Sequence, residues 1–179
     1  MVRKVSEIIH WTDCDSPIGR LRIASTERGL AYVELPNANG CGLRGWVHRH
    51  ASGSDLRSSA EHNSSYVEQI TEYFEGRRES FDFEIDLRAT EFQRDVYEEV
   101  GRIPYGAQRS YADIAQAVGR PKAVRAVGAA NGSNPVPLVI PCHRVIASNG
   151  NLHGYAGGLP MKARLLAMEN SSAVSGRLL

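Results

Sequence analysis

The chain has 179 residues, of which 42% are hydrophobic and 23% charged, with a formal net charge of +1. These figures fit one ordinary globular domain or two small ones and exclude a disordered or fibrous chain. No apolar run reaches the length of a membrane span, and the N-terminus lacks the apolar core of a signal peptide. The cysteines Cys14, Cys41 and Cys142 are odd in number and at no framework spacing, so reduced thiols in a cytoplasmic protein (nuclear in a eukaryote) are expected.

In chain order, Arg20–Thr26 alternates as a strand does, and Gly29–Leu35 reads as its partner after a Glu-Arg-Gly turn. Residues 36–63 are rich in Gly, Asn, Ser and His and read as a loop or insertion. Tyr66, Val67, Ile70 and Phe74 fall at helical spacing, and Phe81–Leu87 alternates strictly, as a half-buried strand does. Together these segments predict a small α/β domain over residues 1–88, with a second domain over 89–170 and a loose tail over 171–179.

The second domain is predicted to be mainly helical. Thr90 can cap a helix that carries Phe92, Val96 and Val100 on one face, up to the turn Ile103-Pro-Tyr-Gly106. Ser110 can cap a second helix, Tyr111–Val118, broken at Gly119-Arg-Pro121, and Pro121 suits the first turn of a third that runs to about Asn131. Two short helices joined by a tight turn form a helix-turn-helix, a motif used both for DNA binding and for simple packing. A last helix spans Pro160 to about Asn170. Charge divides the chain unevenly. Residues 1–89 hold 11 Lys/Arg against 14 Asp/Glu, whereas residues 102–168 hold eight bases against one acid, Asp113. Such a basic segment suits a polyanion, since each phosphate it neutralises releases counterions, but it is also what a solvated basic face looks like.

Residues 141–146 read Pro-Cys-His-Arg-Val-Ile, directly after the apolar run Val136–Ile140. A thiol is a weak nucleophile until a base or a positive charge makes it a thiolate, and here His143 and Arg144 adjoin Cys142. Around this string stand Phe92-Gln93-Arg94, Ile103-Pro-Tyr-Gly106, Ser110-Tyr111, Ile114-Ala115, Arg125-Ala-Val-Gly128, Asn134-Pro135, Gly154-Tyr155, Gly157-Gly158, Lys162 and Leu165-Leu166. With these residues the chain resembles the DNA alkyltransferases that repair 6-O-alkylguanine, the methylated-DNA–protein-cysteine methyltransferases. The N-terminal half matches loosely, through Ser16-Pro-Ile-Gly19 and the strand-like segments after it.

The resemblance implies a ribonuclease H-like N-terminal domain, a small antiparallel sheet with a helix, and a winged-helix-like C-terminal domain. It implies that Cys142 accepts the alkyl group by in-line displacement, that His143 takes the thiol proton through a bridging water, and that Glu169 orients the imidazole. The partner is double-stranded DNA containing alkylated guanine, entered from the minor groove with little sequence preference. The target nucleotide must be rotated out of the stack. Arg125 would fill the gap, Tyr111 would crowd the 3′ phosphate and donate to the flipped base, and Lys122 with the small Ala126 and Ala130 would line the DNA face. Tyr155, Ala156, Gly157, Val145 and Lys162 would form the pocket, and Asn134 a structural hinge. No cofactor, metal or membrane is implied, and the protein is read as a monomer whose copies can meet on DNA.

The chain departs from the family pattern at Tyr97, where tryptophan is usual, at Gln108, where an acidic or similar residue varies, and at Ala156, where some relatives carry serine. Some relatives bind zinc in the N-terminal domain, but Cys14, Cys41, His48 and His50 lack a regular ligand spacing. Two other classes compete. Alkyltransferase-like sensors flip the base without repairing it, but they replace the cysteine that this chain keeps as Cys142. A Cys–His hydrolase would need an oxyanion hole and turnover.

Overall fold

A computed structural model of the chain describes residues 6–37 and 41–175, with side chains as far as Ser171. The chain divides into two compact units, Met1–Arg88 and Ala89–Leu179.

In the first unit, β1 (Ile8–Cys14), β2 (Leu21–Thr26) and β3 (Gly29–Glu34) form an antiparallel meander. Ser16 and Gly19 close its first turn with reciprocal backbone hydrogen bonds of 3.1 and 3.0 Å. The second turn needs Gly29, whose φ is +132° and whose missing Cβ would meet the Glu84 carbonyl oxygen at 2.3 Å. A fourth strand, β4 (Asp55–Ser58), adds in parallel to β1, giving the order β3-β2-β1-β4. Ile9, Ala24 and Ala31 of the sheet pack with Leu43 and Trp46 of α1 (Gly42–His50). A second helix, α2 (Ser64–Phe74), buries Ile70 and Tyr73.

Two expectations for this unit are corrected. The segment 36–63, read as a loop, contains both α1 and β4; residues 38–40 lie outside the described residues. Glycine, histidine and arginine mask an apolar trio at helical spacing, Leu43, Trp46 and Val47, while β4 offers only Leu56 as an inward apolar residue. The segment Phe81–Leu87 keeps its alternating burial as far as Ile85 but, among the described residues, joins the sheet only at the bridge Leu30↔Ile85. Its rings pack on α2 instead, Phe83 against Tyr66 at 4.9 Å and Phe81 against Tyr73 at 5.7 Å between centroids. At its end, the buried Asp86 accepts from Thr26 Oγ1 (2.9 Å) and Arg88 Nη2 (2.7 Å).

The second unit is built on α3 (Glu91–Gly101), α4 (Tyr111–Ala117), α5 (Val124–Gly132) and α6 (Leu159–Ser175). Thr90 and Ser110 are N-caps, each closing a reciprocal capping box with Gln93 and Asp113 respectively. Helices α4 and α5 form the helix-turn-helix and both pack on α3. The third helix was expected from Pro121. It starts at Val124, because residues 120–123 form a turn closed by Ala123 N–H on the Arg120 carbonyl at 2.8 Å. The last helix runs to Ser175, so the segment read as a tail begins in helix, and residues 176–179 lie outside the described residues. Two short parallel strands, β5 (Arg109–Ser110) and β6 (Val145–Ile146), hold the start of α4 against the end of the cysteine segment.

Candidate active site

Cys142 begins a 3-10 turn, Cys142–Arg144, reached by a tightly folded approach from α5. Asn134 organises that approach: its Oδ1 accepts from Val136 N–H (3.0 Å) and its Nδ2 donates to the Ile140 carbonyl (2.7 Å). Between them the buried Leu138 sits in the left-handed region, φ +76°, which a branched residue adopts only when its surroundings force it. The Cys142 N–H then bonds the Ile140 carbonyl at 2.7 Å, and Asn131 Nδ2 donates to the Cys142 carbonyl at 3.1 Å. The cysteine is thus held by its main chain on both sides, with its side chain buried.

The next two side chains converge on the last helix. His143 Nε2 lies 2.8 Å from Glu169 Oε1, with both side chains fully buried. Arg144 grips the same carboxylate, Nε to Oε2 at 2.9 Å and Nη2 to Oε1 at 2.9 Å, and its Nη1 donates to the Ile103 carbonyl at 2.7 Å. Gly106 N–H adds a bond to Glu169 Oε2 at 3.2 Å, and the Tyr105 ring lies 5.6 Å from the guanidinium. The Ile103-Pro-Tyr-Gly106 turn therefore anchors a buried ion cluster. Arg144, which the sequence set beside the thiol as a candidate activating cation, is committed to Glu169.

Protonation follows from these contacts. Burial alone would raise the Glu169 carboxyl, but hydrogen bonds from His143 and Arg144 outweigh it and hold the group down at about 2. Burial lowers the His143 imidazole against the opposing pull of Glu169, so at neutral pH the ring is neutral. An ionised Glu169 accepts only, so Nε2 carries the proton and Nδ1 the lone pair. Burial pushes the Cys142 thiol up to about 11, opposed by Asn134 and the Lys162 ammonium. At rest the site holds a thiol, a neutral base and a fixed carboxylate.

On the other side of the turn, the fully buried Lys162 donates from Nζ to the Val145 carbonyl (2.6 Å) and the His153 carbonyl (2.8 Å), with Tyr111 Oη at 3.4 Å. Burial lowers its ammonium to about 8. Tyr111, the first residue of α4, donates from Oη to the same His153 carbonyl at 3.1 Å. The Tyr155 hydroxyl is buried with no hydrogen-bond partner among the described residues, and burial, then the nearby Cys142 and Glu169, pushes it well above the usual phenol range. Ala156 and Gly157 follow it, half-buried; a Cβ on Gly157 would meet Met161 Sδ at 2.3 Å and the Tyr155 ring at 3.2 Å. The structure brings Cys142, His143, Glu169, Asn134, Tyr111, Val145 and Lys162 together around one turn.

Arg125, Ala126 and Ala129 are exposed on α5, while Lys122 is exposed in the turn before it rather than on the helix. Ala130 is corrected: it is buried, because Val127, Ala130 and Asn131 form the inward stripe of α5, and its carbonyl accepts from Tyr97 Oη at 3.0 Å. The phenol at Tyr97 thus ties α3 to α5. Among the described residues no group of three or more His, Cys, Asp or Glu could hold a metal ion, and no helix is long and apolar enough to cross a membrane. Sequence reasoning missed Asn131 and the carboxylate clamp of Arg144. An asparagine in the apolar stripe of α5 was the available signal for the first, while nothing local signalled the second.

Residues 9–87 match the ribonuclease-like domain of the 6-O-methylguanine DNA methyltransferases, and residues 91–171 match their DNA binding domain. The methylated-DNA–protein-cysteine methyltransferase of Mycolicibacterium paratuberculosis is 42% identical over 163 residues, covering 90% of this chain and 93% of the relative. The inducible protein of the same name from Bacillus subtilis is 43% identical over 151 residues, 84% of each chain. The crystal structure of Mycobacterium tuberculosis OGT in complex with DNA superposes with a TM-score of 0.79 at 38% identity, covering 92% of this chain and 94% of that one. With both halves matched in order and relatives of about 40% identity spanning most of its length, the chain belongs to the 6-O-methylguanine DNA methyltransferase family.

Proposed function

We propose that this protein repairs alkylated double-stranded DNA directly, moving the alkyl group of a 6-O-alkylguanine onto Cys142 in a single irreversible turnover. The observation that carries the reading is the buried His143–Glu169 pair, 2.8 Å apart, beginning one residue after a cysteine held by its own main chain. Relatives that span most of the chain are named methylated-DNA–protein-cysteine methyltransferases, and the M. tuberculosis OGT was crystallised with DNA.

The steps follow from the protonation states. His143 Nδ1 takes the Cys142 proton through a bridging water, and Glu169 stabilises the imidazolium as it forms. Sγ attacks the alkyl carbon in line; the S–C bond forms as the C–O bond to the guanine oxygen breaks. The departing guanine is neutralised by a proton from the Tyr111 hydroxyl, which exchanges its bond to the His153 carbonyl for one to the base. The product is a thioether, which no ordinary side chain hydrolyses, so each molecule reacts once. Arg125 fills the space left by the extruded nucleotide, and the small exposed Ala126 and Ala129 let α5 approach the minor groove closely. Tyr155, Ala156 and Gly157 wall the pocket, and the protein acts as a monomer.

Intact mass measured after incubation with a duplex carrying one 6-O-methylguanine tests the reading. The expected result is a plateau at one added methyl group per chain, located on Cys142 by peptide mapping. Binding without a mass change indicates a sensor, and multiple turnover indicates a hydrolase; either overturns the proposal. A second expectation concerns Arg125. Arg125→Ala slows repair of the duplex much more than reaction with free 6-O-benzylguanine, since only the duplex demands extrusion. Equal losses on both substrates mean that Arg125 serves the fold.

A further inference from the structure

We infer that Asn131 is a positioning residue for the alkyl transfer, fixing the Cys142 main chain to helix α5. The inference rests on the alkyltransferase reading and adds to it a residue for which that chemistry has so far had no use. Asn131 lies in the last turn of α5, is 4% exposed, and donates from Nδ2 to the Cys142 carbonyl at 3.1 Å. The Val145 carbonyl, which follows the same turn, accepts from the buried Lys162 Nζ of α6 at 2.6 Å. Two buried side-chain donors, one from α5 and one from α6, thus fix the main chain at either end of the cysteine turn.

Packing does not explain an asparagine at this point. Its Oδ1 is buried with no hydrogen-bond partner among the described residues, and an orphaned buried acceptor is a cost to the fold. Val127 and Ala130, its neighbours on the inward stripe, are apolar. The polar amide has a use because in-line displacement needs the sulfur, the alkyl carbon and the leaving oxygen in one line, while the donor to the leaving base must be in place at the same moment. Tyr111 supplies the donor and Cys142 the sulfur, and the Asn131 amide fixes the Cys142 main chain. Arg125 lies six residues earlier on the same helix, so one rigid element carries the extruding side chain and the clamp on the acceptor.

The test is single-turnover methyl transfer from a duplex carrying one 6-O-methylguanine, with DNA concentration varied to separate affinity from the transfer rate constant. Asn131→Ala is expected to keep wild-type affinity and lose roughly tenfold to a hundredfold in the rate constant, the size of effect a small misplacement produces. Asn131→Asp keeps the shape but sets a negative charge against the Cys142 carbonyl, which disfavours a thiolate on the same residue, so its rate optimum moves to higher pH. Asn131→Ser provides the same comparison should the alanine variant fail to fold. A wild-type rate constant in a folded Asn131 variant, or an unmoved pH profile in Asn131→Asp, would overturn the inference. No transfer by the wild-type protein would instead bring down the alkyltransferase reading beneath it.

Discussion

Cys142→Ala eliminates alkyl transfer outright while leaving affinity for duplex DNA unchanged. The substitution removes one buried sulfur from a turn whose main chain is held independently by Ile140 and Asn131, so the fold has no reason to fail. The exposed Arg125, expected to fill the gap in the base stack, and Lys122, expected on the DNA face, are untouched. The other two cysteines belong to the first unit, Cys14 buried at the end of β1 and Cys41 exposed ahead of α1, and neither adjoins a histidine in sequence as Cys142 does. Intact mass after exposure to methylated duplex should show no added methyl, and a mobility-shift titration should match wild type. A methyl group arriving on Cys41, or transfer surviving the substitution, would overturn the assignment of Cys142 as acceptor.

His143→Ala lowers the transfer rate constant by roughly the 10²–10⁴-fold that loss of a general base costs. The need for a base is built into the burial of the thiol. With its pKa pushed up to about 11, only about one molecule in 10⁴ is a thiolate at pH 7. Because the His143 pKa is lowered, the wild-type ring is already a neutral base at neutrality, and the rate should be flat with pH there. Without the imidazole, the rate should climb about tenfold per pH unit toward the thiol pKa of about 11. Glu169→Gln should slow transfer less, since the imidazole remains, but it should destabilise the protein more. It leaves the Arg144 guanidinium buried without its counter-charge, a change typically worth about 3–5 kcal/mol.

The sign of the acid response follows from Glu169. Its carboxyl falls from an ordinary 4.5 to about 2 in the folded protein, so its contribution is complete above 4.5 and disappears as the pH falls toward 2. Melting temperatures of wild type and Glu169→Gln should therefore converge across that interval. Wild-type kinetics in a stable His143→Ala protein would mean that something else activates Cys142, and Arg144 is engaged elsewhere.

Local chemistry is what the amino-acid sequence by itself determined here. The N-caps at Thr90 and Ser110, the hairpin of β2 and β3 and the helix-turn-helix depend on neighbours within a few residues, where the pattern is complete in the string. The Pro-Cys-His-Arg string is informative for the same reason, since nucleophile and base are adjacent. Where neighbours were misleading, the reading was too. Glycine and histidine hid α1, and an alternating Phe81–Leu87 spent its rings on α2 rather than on sheet pairing. The tertiary structure alone decided which groups meet across long separations. It turned Arg144 from the thiol to a carboxylate 25 residues away, joined that cluster to the Ile103 carbonyl 41 residues back, and buried Ala130 while leaving Ala126 exposed. It also raised the Cys142 thiol to about 11 through burial. The physical reason is that charge pairing and desolvation depend on distance through the folded interior, and sequence spacing fixes that distance only within a helix turn, a strand or a tight bend.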